Sequence, residues 1–201
     1  MARVRILPTD ALIVVDMQND FMPGGALPVP NALSIIPVIN EYIRVFEEAG
    51  ALIVFTRDWH PPNHISFRSR GGPWPPHCVQ NTPGTELHKD LRVPRNAIII
   101  SKAFKEDEEA YSGFKGVDLA SGKDLNTILR ERGVKRVFIS GVATEYCVKA
   151  TTLDAVDLGY QVFLLLDAIK GINQPPGSEE QAVNEMLSKG VVGLTLSDIA
   201  R

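Results

Sequence analysis

Cysteine is nearly absent from this sequence: Cys78 and Cys147 are the two in 201 residues. Two thiols so far apart, in different local settings, do not make the dense disulfide framework of a small secreted domain, and reduced thiols in a cytosol are the expectation. No apolar stretch approaches the ~18 residues of a membrane span. The opening Met1-Ala2-Arg3-Val4-Arg5-Ile6-Leu7-Pro8 carries charge but no hydrophobic region long enough for a signal peptide. A cytoplasmic protein with no membrane partner is expected. Positive charge is not in excess either, since 21 Lys and Arg against 24 Asp and Glu leave a formal net charge of -3. Nucleic-acid binding requires a basic footprint, so that class of partner is excluded. Internal repeats and low-complexity tracts are missing as well. What the chain does have is 44% hydrophobic residues, enough for one sizeable core. At roughly 100–200 residues per domain, a single domain over residues 1–201 is predicted.

Short, nearly continuous apolar runs recur at Ala11 to Val15, Ala51 to Thr56, Ala97 to Ser101, Val137 to Ser140, Gln161 to Leu166 and Val191 to Leu196. Strands buried on both faces have this composition. Helical patterns lie between most of them. Ile36, Ile39, Ile43 and Phe46 precede Gly50, and Leu125, Ile128 and Leu129 precede Gly133. Glu145 to Leu158 ends at Gly159, and Ser178 with Gln181 three residues on suggests a capped helix running to Lys189. Alternating strand and helix implies an α/β fold: a doubly wound, mainly parallel six-stranded sheet in a three-layer arrangement with helices on both faces. Residues 58–94 are rich in Pro, Gly, His and Trp and follow neither period. An irregular stretch of that length in a compact domain is usually functional.

Open parallel sheets bind ligands beyond the carboxyl ends of their strands. The residues there are Asp16, then Arg57-Asp58-Trp59-His60, Ser101-Lys102, Gly141-Val142-Ala143-Thr144-Glu145-Tyr146-Cys147, and Asp167. Cys147 falls near the start of a helix, where unpaired N–H groups and the positive dipole end favour a thiolate. A thiolate attacking an amide needs a group that takes its proton and later protonates the leaving amine, a role for Asp16. Lys102 would orient Asp16 electrostatically. Backbone N–H groups of Ala143 and Cys147 are the candidates for an oxyanion hole. A second cluster, Asp58-x-His60 with His64 and His77, gathers three of the four histidines, all of which fall in the irregular segment. Mixed imidazole and carboxylate ligands suit one divalent ion of zinc, iron or manganese. His64 is the weaker ligand candidate, and His88 reads as a surface residue. Lys105 to Glu109 is acidic and reads as a solvated loop.

Val14-Val15-Asp16-Met17-Gln18-Asn19-Asp20-Phe21 resembles the opening motif of the isochorismatase-like cysteine hydrolases, and Gly141 to Val148 resembles their nucleophile motif. Asp58-Trp59-His60-Pro61, Trp74-Pro75-Pro76-His77-Cys78 and Ala110-Tyr111-Ser112-Gly113-Phe114 narrow the resemblance to nicotinamidases. The resemblance implies Cys147 as nucleophile, Asp16 as general acid and base, Lys102 as its partner, and Asp58, His60 and His77 as metal ligands. It further implies a cis Val142-Ala143 peptide, a substrate ring between Phe21 and Trp74, and a pocket completed by Tyr111, Val142 and Tyr146. The implied reaction is hydrolysis of nicotinamide, and of pyrazinamide, in NAD salvage. The rivals are another small amide or carbamoyl substrate within the superfamily, and a non-catalytic metal-binding module. A homo-oligomer is compatible with all three.

Overall fold

The computed structural model describes residues 2–201. Its centre is a six-stranded sheet in which every pairing is parallel: β1 (Asp10–Val15), β2 (Leu52–Asp58), β3 (Ile98–Lys102), β4 (Arg136–Val142), β5 (Gln161–Lys170) and β6 (Val192–Leu194). Their spatial order is β3-β2-β1-β4-β5-β6. The chain therefore winds outward from β1 to β3, returns to the centre, and winds outward again from β4 to β6. The β1/β4 junction is the point where strand order reverses, and a crevice opens at such a point.

Side-chain alternation along the strands divides the interior into two layers, which is why the strand sequences are apolar at almost every position. Leu12, Val14, Phe55 and Phe138 face α1 (Ile36–Glu48), whose Ile36, Ile39, Ile43 and Phe46 form its buried stripe. Ala11, Ile13, Val15, Val54, Val137 and Ile139 face the layer built from α2 (Leu125–Glu131), α3 (Lys149–Asp157) and α4 (Ser178–Ser188). Helices cover both faces, as the pattern predicts.

Three local expectations are corrected. The helix after β4 does not begin as an α-helix: Thr144–Val148 form a π-helical turn, with the Val148 N–H donating to the Ala143 carbonyl, and α3 follows from Lys149. Residue Ser178 is not the cap of α4. Gly177 occupies that position in the left-handed region, and the Ser178 hydroxyl turns to Glu145 instead. Strand β5 does not stop at Asp167, because a bulge lets it continue to Lys170. The Asp167 carboxylate is a structural acceptor there, taking the Tyr42 hydroxyl at 2.7 Å and the Leu196 N–H at 2.8 Å.

Candidate functional site

The strand register decides what meets in the crevice. Val15 pairs with Thr56 of β2 and Gly141 of β4, so Asp16 leaves β1 between those two neighbours. Asp16 has φ 52, and its N–H donates to the Thr56 carbonyl while its Oδ1 accepts the Thr56 hydroxyl at 2.7 Å. Gly141 adopts φ 109 with its α-carbon against the Val15 backbone, a conformation and a proximity that exclude a side chain. Bare backbone at Gly141 lets the turn that leads to Cys147 fold over β1. The Val142-Ala143 peptide is cis, as the resemblance implies.

Asp16, Lys102 and Cys147 come together. The Lys102 Nζ donates to Asp16 Oδ2 at 2.8 Å and lies 3.4 Å from Cys147 Sγ. All three side chains are buried, and Lys102 is fully so. The same ammonium also donates to Asp58 Oδ1 at 2.5 Å, a contact that spacing along the chain did not suggest. Burial pulls the Lys102 ammonium towards neutrality, but the two carboxylates outweigh it and hold Lys102 charged well above its ordinary range. The Asp16 carboxyl is pushed up by burial, which Lys102 only partly offsets. Burial also pushes the Cys147 thiol well up, Asp16 adds to the shift, and Lys102 opposes it. Helix-dipole reasoning favoured a thiolate; burial and the Asp16 carboxylate work against it.

Asp58, His60 and His77 form the second cluster. Asp58 Oδ2 lies 3.5 Å from His60 Nε2 and 3.7 Å from His77 Nε2. The outer ring nitrogens face carbonyls: His60 Nδ1 meets the Ala103 oxygen at 2.9 Å and His77 Nδ1 the Pro75 oxygen at 2.8 Å. Each ring thus presents an Nε2 lone pair toward Asp58, the arrangement that metal-ligating histidines take from their outer partners. His64 is corrected: it is not one of the convergent donors. Its Nδ1 pairs with the Ser66 hydroxyl and its Nε2 with the Glu108 carbonyl, both at 2.7 Å, which leaves no lone pair for a metal. Its ring stacks on His60 at 4.2 Å and so supports that ring from behind.

The two clusters open into one cavity lined by Asp16, Asp58, His60, His77, Ala143 and Cys147 together with Phe21, Trp74, Tyr111 and Tyr146. Trp74 donates its indole N–H to the Tyr111 hydroxyl at 3.2 Å and meets Tyr146 edge-on at 5.2 Å, so three aromatics form one connected wall. Leu27, Val29, Ile172 and Glu109 also reach the cavity, none of them suggested by the sequence. Val142 is corrected: it does not line the cavity. It is the last residue of β4, fully buried in the core layer beneath the site.

Other contributors were not singled out from the sequence. Gln18 is fully buried; its Nε2 donates to the Asp58 and Thr85 carbonyls at 2.8 and 2.9 Å, and its Oε1 accepts the Asp58 N–H at 2.9 Å. Asp20 accepts the N–H of Cys78, next to His77, at 2.7 Å. Phe67, fully buried, sets its ring against His60, His64 and His77. The acidic stretch 105–109 is exposed, but its carbonyls hold the histidine loop, through Glu106 to Ile65 and Glu108 to His64.

The architecture and the paired clusters have counterparts among known proteins. The model of the Isochorismatase domain matches residues 10–198. The chain belongs to the isochorismatase family. Within it, the sequence is 42% identical to a nicotinamidase of Acinetobacter baylyi, over 94% of each chain. Among solved structures, a pyrazinamidase of Pyrococcus horikoshii in complex with zinc is 63% identical, with a TM-score of 0.86 over 94% of this chain and 100% of that one. PnC1 of L. infantum in complex with nicotinate is 36% identical, with a TM-score of 0.87 over 98% of both. Family members share the doubly wound sheet, and the cavity described above lies at its switch point.

Proposed function

We propose that this chain is a single-domain, zinc-dependent nicotinamidase that hydrolyses nicotinamide to nicotinate and ammonia through a thioester on Cys147. Pyrazinamide, an isosteric aromatic amide, is a second substrate, and the physiological role is NAD salvage. One observation carries the reading: Asp58 touches both clusters, Oδ1 on Lys102 and Oδ2 facing His60 and His77, within a single cavity walled by aromatic side chains. A metal-binding module without chemistry has no use for Asp16, Lys102 and Cys147 at the ends of three strands. The cytosol is the proposed compartment, in keeping with two free thiols. Among the described residues, no helix is long and apolar enough to cross a membrane.

The residues divide the work as follows. Trp74, Tyr111 and Tyr146 give the substrate ring an aromatic wall and, with Phe21, keep water from it. Asp58, His60 and His77 would hold the zinc ion, which when bound would polarise and orient the substrate as a Lewis acid. As Cys147 Sγ bonds to the amide carbon, its proton passes to Asp16, whose raised affinity for a proton suits it to that task. The developing oxyanion is received by the backbone N–H groups of Ala143 and Cys147. Asp16 then protonates the amide nitrogen, the C–N bond breaks, and ammonia leaves behind a thioester. A water molecule, giving its proton to Asp16, attacks the thioester carbon. Asp16 returns the proton to sulfur as the acid departs, and Lys102 balances the charge throughout.

Ammonia release from nicotinamide, pyrazinamide, benzamide and a carbamoyl compound tests the substrate class. Nicotinamide and pyrazinamide should turn over at similar rates and benzamide poorly. Preference for the carbamoyl compound would assign the site to another branch of the family.

A further inference from the structure

The Lys102 ammonium occupies a place built for a cation. Its Nζ lies 2.8 Å from Asp16 Oδ2, 2.5 Å from Asp58 Oδ1 and 3.4 Å from Cys147 Sγ. Set the ammonium aside, and one oxygen of Asp16, one of Asp58 and the Cys147 sulfur still lie within 4.8 Å of one another, all buried. Two carboxylates and a sulfur are donors that zinc accepts. Asp58 moreover faces two ways, presenting Oδ1 to Lys102 and Oδ2 to the two histidines. A carboxylate disposed like this is what joins the two ions of a binuclear hydrolase centre.

We infer that Asp16, Asp58 and Cys147 form a latent second divalent-cation site, and that Lys102 fills it with a tethered monocation which keeps metal off the nucleophile. The chemical need is plain. A thiol is deprotonated outright by a metal that binds it, and a sulfur committed to zinc is withdrawn from attack on an amide. Asp16 would lose its role as base at the same stroke, its oxygen being a ligand. A divalent ion held close by at Asp58, His60 and His77 makes such poisoning a standing hazard. The ammonium forestalls it twice over, by occupying the space and by adding a positive charge to it. In this reading Lys102 does more than orient Asp16: it divides a potential two-metal centre into one metal half and one thiol half. The inference rests on the proposed metal site for the word second, but the donor set around Lys102 exists independently of it.

The test is cobalt(II) loading of metal-stripped protein, read as cobalt bound per chain and as the near-ultraviolet cobalt–thiolate charge-transfer band. Wild type should take one equivalent and show no thiolate band. Lys102→Ala, which empties the space, should take two and show the band, and the added Cys147→Ser substitution should abolish it. Lys102→Arg, which keeps a cation, should behave as wild type; this separates exclusion by charge from simple loss of a buried side chain. Zinc should slow iodoacetamide alkylation of Cys147 about tenfold or more in Lys102→Ala, and not in wild type, because a metal-bound thiolate is removed from the reactive pool. Lys102→Gln serves if the alanine variant does not fold. A thiolate band in wild type would overturn the inference, as would folded alanine and glutamine variants that gain neither the band nor the second equivalent. Failure of the proposed metal site looks different: wild type would bind no cobalt, while the Cys147-dependent band of the variant would remain.

Discussion

Replacing Gln18 with Met tests whether a neutral, fully buried side chain sets the metal centre. Methionine fills a similar volume but can neither donate to the Asp58 and Thr85 carbonyls nor accept the Asp58 N–H. The Asp58 carbonyl keeps the Thr85 hydroxyl at 2.9 Å, so two buried groups are orphaned: the Asp58 N–H and the Thr85 carbonyl. At about 1–3 kcal/mol each, and with the space still filled, the loss should be about 3 kcal/mol. A chain of this length loses roughly 2–4 °C in Tm per kcal/mol, so melting should fall by about 6–12 °C. Freed from its clamp, Asp58 presents its carboxylate less well to His60 and His77, and outer-sphere substitutions of this kind typically cost about 10–100-fold in metal affinity. The assay pairs thermal melts of stripped and zinc-loaded protein with zinc competition against a chromophoric chelator. The gap between the two melting points should shrink in Gln18→Met. A lower Tm with zinc affinity unchanged would refute the clamp and leave Gln18 as ordinary scaffold.

Cys147→Ala should retain its fold and lose turnover, and Asp16→Asn should be impaired by a factor on the order of 10²–10⁴, the usual contribution of a general acid–base group; ammonia release checks both. In stripped protein, iodoacetamide should label Cys147 slowly at neutral pH and faster as pH rises beyond the ordinary thiol range, because burial and then Asp16 push that thiol up. Cys78, fully buried and likewise pushed up by burial, should label more slowly still, and peptide mass spectrometry separates the two. Stripping zinc should lower kcat/KM for nicotinamide by several kcal/mol of transition-state stabilisation, on the order expected of a Lewis-acid contact, and benzamide, which lacks a ring nitrogen, by much less. Equal losses for the two amides would reduce the metal to a staple for residues 58–94.

The sheet was legible because parallel strands buried on both faces leave an almost unbroken apolar trace, as in Leu12 to Val15 and Val137 to Ile139. Asp16, Lys102 and Cys147 could be picked out because a doubly wound sheet fixes where strand ends meet, and polar residues there stand out against apolar runs. Local geometry that has no residue code was not legible. Nothing in Thr144 to Val148 announces a π-helical turn, and the bulge that carries β5 past Asp167 runs against the rule that a charge ends a buried strand. Neutral supports were invisible for a different reason: Gln18 and Phe67 act through backbone clamping and ring packing, which only the folded neighbours define. His64 and Val142 failed in the opposite direction. Each has the right type and place in the chain, but His64 spends both nitrogens on Ser66 and Glu108, and Val142 points into the core.

A thioester on Cys147 is the centre of the account, and hydroxylamine trapping probes it most directly. With nicotinamide as substrate, an acyl-enzyme is partitioned between water and added hydroxylamine, so wild type should yield nicotinohydroxamate at the expense of nicotinate, and Cys147→Ala should yield neither. Ammonia released by wild type with no hydroxamate at any hydroxylamine concentration, or nicotinate still formed by folded Cys147→Ala, would contradict it.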